Sequence, residues 1–404
     1  MRPLFSLCLF AALASAHTLT PVWIELGPEG VVLARAVIEP SDRCPELRAD
    51  GHSLSLQTRQ PVPDGMKPAC QAVIPPGTRS LRWDKQKLRL PKTPDRIITV
   101  GDTGCRVKGG QIQACDDPEL WPFQAVSEQV AKLKPDLIVH VGDYLYREGP
   151  CPKMVQSCTG PNGDNWEAWN ADFFSPAREA LAAAPWIFAR GNHESCSRSF
   201  RGWFYYLDPR PFDGVCSPYT EPYVAQSGQL RLGVLDTAST KDVPNTDPAQ
   251  IPIYAKQLTA LSGRADWLVD HHPFWGYTAK ASGVSPTDLT LGPAWAQAQP
   301  QGIALVLSGH VHLFEFLALE NGRPNQVIAG DSGTQLDTGI TVDRSGSSVV
   351  GARVRAGEVN MSFGLTELQR KGDGWILTLR NARGVASLTC SLPGNAAPSC
   401  HANR

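Results

Sequence analysis

Five short polar blocks, each placed directly after a strand-like apolar run, constrain this chain more than any other feature. They are Gly101-Asp102-Thr103-Gly104, Gly142-Asp143-Tyr144-Leu145-Tyr146, Gly191-Asn192-His193-Glu194, Asp270-His271-His272-Pro273 and Gly309-His310-Val311-His312. The runs ahead of them include Ile97-Ile98-Thr99-Val100 and Trp186-Ile187-Phe188-Ala189, and helix-like stretches over residues 122–133, 173–184 and 252–261 separate them. Strand alternating with helix specifies an α/β domain with buried central strands. In such sheets the residues just past the carboxyl strand ends converge on one crevice, so blocks distant in sequence can build one site. Their Asp, Asn, Tyr and His side chains are the donors that hold hard to borderline metal ions.

Around this core the texture differs. Residues 17–94 alternate in short runs such as Val22-Trp23-Ile24-Glu25-Leu26, the pattern of a small antiparallel β-sandwich. Pro91-Lys92-Thr93-Pro94 then reads as a linker, since prolines resist both regular structures. The blocks place the catalytic domain at 95–345, and the β-like segments of 346–404 are expected to complete it. Residues 148–169 lack periodicity and are expected to form a loop over the site.

The first residues have the make-up of an export signal: Arg2, an apolar stretch over residues 4–13, and small residues Ala14-Ser15-Ala16 at a cleavage position. Residues 1–16 are therefore expected to be removed and the protein secreted or periplasmic. Of eleven cysteines, Cys8 lies in this leader, and the ten others form an even set with close neighbours such as Cys105 and Cys115. In an exported chain that predicts disulfides, here stiffening the loops that follow the blocks at Cys105, Cys151 and Cys196. A formal net charge of -1 offers no electrostatic basis for a nucleic-acid or anionic-membrane partner, and nothing in the sequence sets the oligomeric state.

Each block residue has an ordinary alternative role. Asp102 or Asp143 alone could cap the next helix, and Asn192 alone could serve a turn. Together with the other blocks they read as ligands, a carboxylate being able to bridge two cations. His310 and His312 would share a face on an extended strand and form a second donor pair. His193, beside them in kind, is assigned to proton donation or phosphate binding, with Glu194 to orient it. His140, inside a strand run, reads as a core residue or one that supports the ligands from behind, rather than as a ligand. In the fourth block only one of His271 and His272 could easily reach a metal from a strand, and residue chemistry leaves the choice open.

These blocks resemble those of the calcineurin-like dinuclear metallophosphoesterase superfamily, and specifically its purple acid phosphatase branch. The branch pattern GDxG, GDxxY, GNH(E/D), VxxH, GHxH appears here as GDTG, GDYLY, GNHE, a variant fourth block and GHVH. Tyr146 is the discriminating residue, because most of the superfamily begins with Asp-x-His, and Gly104 stands at that histidine's place. The resemblance implies an α/β fold, a metallophosphoesterase-type layered β-sandwich flanked by helices (α-β-β-α), with the small all-β domain ahead of it. It implies Fe(III) on Asp102, Asp143, Tyr146 and His312. Asp143 would bridge to Fe(II), Zn(II) or Mn(II), held also by Asn192, His310 and one fourth-block histidine. The family's usual spacing to a following proline points to His271, although a literal VxxH reading places His272. The family often has further substrate-contacting histidines after this block, where Phe274-Trp275-Gly276-Tyr277 stand here. The implied activity is hydrolysis of phosphate monoesters by a metal-bound hydroxide, an acid phosphatase with His193 as catalytic residue. Phosphodiesterase, nucleotidase or phospholipase activity on the same metals is the alternative, and a metal-stabilised binding protein without activity the remaining one.

Overall fold

Strands that alternate between two apolar faces need cover on both, and this chain supplies it in four layers. The computed structural model describes residues 17–108, 110–152, 155, 158–280, 283–339, 345–394 and 397–403. The expected leader, residues 1–16, lies outside them. Along Leu137–His140, Leu137 and Val139 pack into the core between two sheets, with Ile97, Ile187, Val269 and Leu307. Ile138 turns the other way, with Ile98, Val100 and Phe188, toward the helix Phe123–Leu133 and the aromatic group around Phe173. In the second sheet Leu268 and Val306 face outward onto the helices Ile251–Leu261 and Leu291–Ala298. The α-β-β-α sandwich implied by the resemblance is the observed fold.

Among the described residues the first sheet has eleven strands, with Arg96–Val100, Leu137–His140 and Trp186–Phe188 parallel at its centre. The second has eight, with Leu230–Val234, Trp267–Val269, Leu305–Ser308 and Asn325–Ala329 running parallel. Every motif block leaves the carboxyl end of one of these strands, so the two sheets present their motif-bearing edges to a common cleft.

The N-terminal strand-rich region is present, and part of it continues the first sheet. Trp23–Leu26 pairs in parallel with Trp186–Phe188, and Val32–Val37, Ala69–Val73 and Gln57–Thr58 follow outward. A separate sheet of His52–Ser55, Glu46–Ala49, Leu81–Trp83 and Gln86–Leu88 covers it through Leu47, Leu56 and Leu81. The join is polar as well as apolar. Buried Arg35 lies 2.8 Å from Glu25 and donates to the backbone carbonyls of Tyr206 and Asp208 at 2.8 and 2.7 Å. At the other edge the C-terminal strands Gly364–Lys371, Gly374–Asn381, Ala386–Leu392 and Ser399–Ala402 complete the first sheet.

The ten cysteines beyond the leader pair as Cys44–Cys70, Cys105–Cys115, Cys151–Cys158, Cys196–Cys216 and Cys390–Cys400. The helix expected over 173–184 is broken: a π-helical turn at Asn170–Phe174 precedes a single α-turn at Arg178–Leu181. Of the loop expected over 148–169, Glu148 reaches the site beside His193, and residues 153–154 and 156–157 lie outside the described residues. Trp166 and Trp169 anchor this segment in the aromatic core, because their bulk is best buried against Phe174 and Tyr144.

Candidate metal centre

Three of the block residues adopt the left-handed backbone region: Asp102 at φ 53°, Asp143 at φ 60° and His310 at φ 72°. Non-glycine residues pay roughly 1–2 kcal/mol for this geometry, which clusters at functional sites. The turn is made by the predicted ligand itself, which swings its side chain off the strand axis toward the cluster. Glycines make room. Gly142 has φ +100° and no space for a side chain against the His271 ring, and a methyl on Gly191 would overlap the Asp143 carboxylate.

The predicted side chains form two groups that share one oxygen. Tyr146 Oη lies 2.8 Å from Asp102 Oδ1, 2.8 Å from Asp143 Oδ2 and 2.9 Å from His312 Nε2. On the other side Asp143 Oδ2 is 3.3 Å from His271 Nε2, which is 2.8 Å from Asn192 Oδ1, and His310 Nδ1 is 3.0 Å from that same oxygen. The seven residues predicted as metal ligands thus meet at one place, and His193, the eighth predicted site residue, lies beside them. Asp102, Asp143 and His271 could hold a metal ion, as could His271, His272 and His310.

The electrostatics suit a cation. Burial pushes the Asp102 carboxyl up to about 7, opposed by His271 and reinforced by the neighbouring Asp143. Burial likewise drives the Tyr146 phenol well above its usual range, with Asp102 and Asp143 adding to the shift. Asp143 is penalised by burial too, but His271 and His193 hold it well below the usual carboxylate range. Packing two carboxylates and a phenol together without water is costly unless positive charge joins them.

Each histidine of the two groups is oriented from behind, as metal-binding imidazoles usually are. His271 Nδ1 is 2.8 Å from the Val141 carbonyl, and His312 Nδ1 is 3.0 Å from the Gln335 carbonyl. His310 Nε2 is 2.8 Å from Asp242 Oδ1, a residue the motif blocks did not reveal. His272 does not point away as strand alternation would require. Both histidines lie past the strand end Trp267–Val269, where their backbone N–H groups donate to Thr237 Oγ1 at 3.1 and 2.9 Å. The His272 ring lies against that of His310 at 3.9 Å, with Nε2 3.6 Å from Asp242. His140 is core-buried, 3.0 Å from Thr103 Oγ1 and stacked on Tyr144.

His193 is oriented by a different carboxylate from the one expected. Glu194 turns away from it and accepts backbone N–H bonds from the loop carrying Asp143, because a fully buried carboxylate is best satisfied by the amides at a strand end. Glu148 takes the role instead. Its Oε1 is 2.6 Å from His193 Nδ1, which leaves Nε2 toward the cluster, 3.8 Å from Asp143 Oδ2, with the ring against Tyr146. Burial opposes the Glu148 charge, but His193 and Arg198 bring its carboxyl down to about 2. Glu148→Gln is expected to lower kcat by about 10- to 100-fold through loss of imidazole orientation, with metal content unchanged. Steady-state kinetics with metal analysis checks this, and a kcat within twofold of wild type would exclude Glu148 as the positioning residue.

The groups open into a cleft of about 290 Å³, whose lining includes Asn192, His193, His310 and His312 with Arg106, Arg198, Asp242 and Asp337. These last four were missed. Arg106 and Arg198 follow the first and third blocks closely enough for the sequence to have flagged them, whereas Asp242 and Asp337 arrive on loops without a pattern.

A layered α-β-β-α sandwich with a buried carboxylate–histidine–tyrosine cluster between its strand ends defines a metal-dependent hydrolase. The calcineurin-like phosphoesterase family model matches residues 95–314. Purple acid phosphatase PPD1 from yellow lupin (Lupinus luteus) seeds shares the fold with a TM-score of 0.59, at 13% identity over 94% of this chain and 74% of its own. PhoD does so with a TM-score of 0.58, at 12% identity over 100% of this chain and 94% of its own. No curated protein sequence matches. The chain belongs to the calcineurin-like phosphoesterase family and is a phosphoric ester hydrolase.

Proposed function

We propose that this protein is an exported acid phosphatase of the purple type, hydrolysing phosphate monoesters at an Fe(III)–M(II) centre. The observation that carries this reading is the shared Asp143 oxygen, with Asp102, Tyr146 and His312 on one side and Asn192, His271 and His310 on the other. The first set would hold Fe(III), the second Fe(II), Zn(II) or Mn(II). Such a pair would supply Lewis acidity toward a phosphoryl oxygen and would lower the pKa of a bound water. The chain's own residues do the rest. His193 Nε2 faces the cluster and can give a proton to the departing ester oxygen, while Glu148 at its Nδ1 fixes the tautomer that allows this. Residues 95–345 form the catalytic unit on this reading, and 346–404 complete it.

Five disulfides and the leader-like residues 1–16 support an oxidising, exported location. Among the described residues no helix is long and apolar enough to cross a membrane.

Colour tests the tyrosinate assignment. A Tyr–Fe(III) bond absorbs visible light, so the purified protein is expected to be pink to purple, and Tyr146→Phe to bleach while keeping the fold. Iron analysis belongs beside the spectrum, with hydrolysis assays on a generic monoester and diester. A colourless, iron-loaded wild type would remove the tyrosinate and leave the family intact. Iron without turnover of either ester would favour a binding protein.

A further inference from the structure

Two arginines outside the motif blocks face the cleft from loops tied down by disulfides. Arg106 follows Cys105, which is bonded to Cys115. Its backbone N–H donates to Gln113 Oε1 at 3.0 Å, and its carbonyl accepts from the Gln113 N–H at 2.8 Å. The guanidinium stands 5.4 Å from the centre of the Tyr146 ring. Arg198 comes two residues after Cys196, which is bonded to Cys216, and its Nε lies 3.5 Å from the Glu148 oxygen that also meets His193.

Both guanidinium groups have unmet donors. Arg106 Nε and Arg198 Nη1 are buried and have no hydrogen-bond partner among the described residues. Leaving a buried charged donor unpaired is costly, and both side chains line the cleft, so an anion entering it would offer these guanidinium groups an acceptor. Two acidic residues of the cleft engage its histidines rather than these arginines. Asp242 meets His310 at 2.8 Å, and Asp337 Oδ2 accepts the His312 backbone N–H at 3.0 Å. The planar, forked guanidinium is the side chain best matched to the oxygens of a phosphoryl group.

We infer that Arg106 and Arg198 clamp the non-bridging oxygens of the substrate phosphoryl group and set a preference for dianionic monoesters over diesters. This rests on the phosphatase reading above. A monoester brings up to two negative charges and three free oxygens, enough for both arginines and the metal side of the cleft. A diester brings one charge and two free oxygens, and its second ester arm would occupy ground that one arginine covers.

The test uses the full-length, metal-loaded protein with Arg106→Ala, Arg198→Ala and the corresponding lysine variants. Inorganic phosphate is the probe, measured as a competitive inhibitor and by calorimetry, beside kcat/KM for one monoester and one diester. Each alanine change is expected to weaken phosphate by about 10- to 100-fold and to raise the monoester KM, because a charge-assisted contact is lost. Lysine is expected to restore part of the phosphate affinity, and metal content to stay at the wild-type level throughout. The diester is expected to suffer less than the monoester, so the monoester-to-diester ratio falls. Phosphate affinity unchanged in both alanine variants, or equal losses on both esters, overturns the clamp. A metal-loaded wild type that hydrolyses neither ester overturns the phosphatase reading beneath it instead.

Discussion

Replacing Asp143 with alanine is expected to empty the centre and reduce kcat/KM by roughly 10⁴-fold, equivalent to about 5.5 kcal/mol of transition-state stabilisation. One of its carboxylate oxygens meets side chains of both groups. Its Oδ2 is 2.8 Å from Tyr146 Oη and 3.3 Å from His271 Nε2, while Oδ1 accepts the His193 backbone N–H at 2.8 Å. The variant therefore removes the common donor and also the anchor that places His193. Asp143→Asn separates these effects. The amide keeps an oxygen for the His193 N–H and preserves volume, so the fold should survive, but it lacks the charge needed beside two cations. Metal analysis is expected to show loss of at least one equivalent, with activity still down by orders of magnitude. Full metal content in Asp143→Asn with activity within tenfold of wild type would show that the two groups do not share this residue.

That Asp143 can be named from sequence has a physical cause. Its strand, Leu137–His140, is apolar on both faces, and the polar block begins where the apolar run stops. The same contrast made Asp102, Asn192, His310 and His312 legible, and the alternation of strands and helices gave the sandwich its layers. Local pattern fails where geometry is decided from far away. The left-handed turns at Asp102 and His310 depend on what surrounds the strand ends. Strand alternation misled at His271 and His272, because Trp267–Val269 has already ended there. Glu194 and Glu148 are both acidic residues near His193, and only the fold shows which one meets the imidazole. The helix Leu291–Ala298 escaped notice because Gly292 and Pro293 blur its periodicity. The parallel pairing of Trp23–Leu26 with Trp186–Phe188 joins segments whose own patterns show only that each is a strand.

Glu194→Ala is expected to be the most destabilising change in the blocks, costing about 4 kcal/mol. The side chain is fully buried and serves as a hub for strand-end amides. One oxygen accepts from the Tyr144 and Leu145 N–H groups at 2.9 and 3.2 Å, and the other from Asp143 and Gly191 at 3.1 Å each. Alanine leaves these four donors without a partner in a space shielded from water. Each orphaned donor costs about 1–3 kcal/mol, and relaxation of the loop recovers part of the sum. Against a typical domain stability of about 5–15 kcal/mol this is a large fraction. Glu194→Gln should cost less, since one amide oxygen still accepts while the NH₂ group opposes the remaining donors. Denaturant titration with the disulfides kept oxidised measures both. The contrast with Glu148 sharpens the test: Glu148→Gln should change kcat and leave the unfolding midpoint nearly in place, whereas Glu194→Ala should shift the midpoint first. An unfolding midpoint unchanged in Glu194→Ala would mean that the amides find other acceptors, and that the loop carrying Asp143 is not hung on this carboxylate.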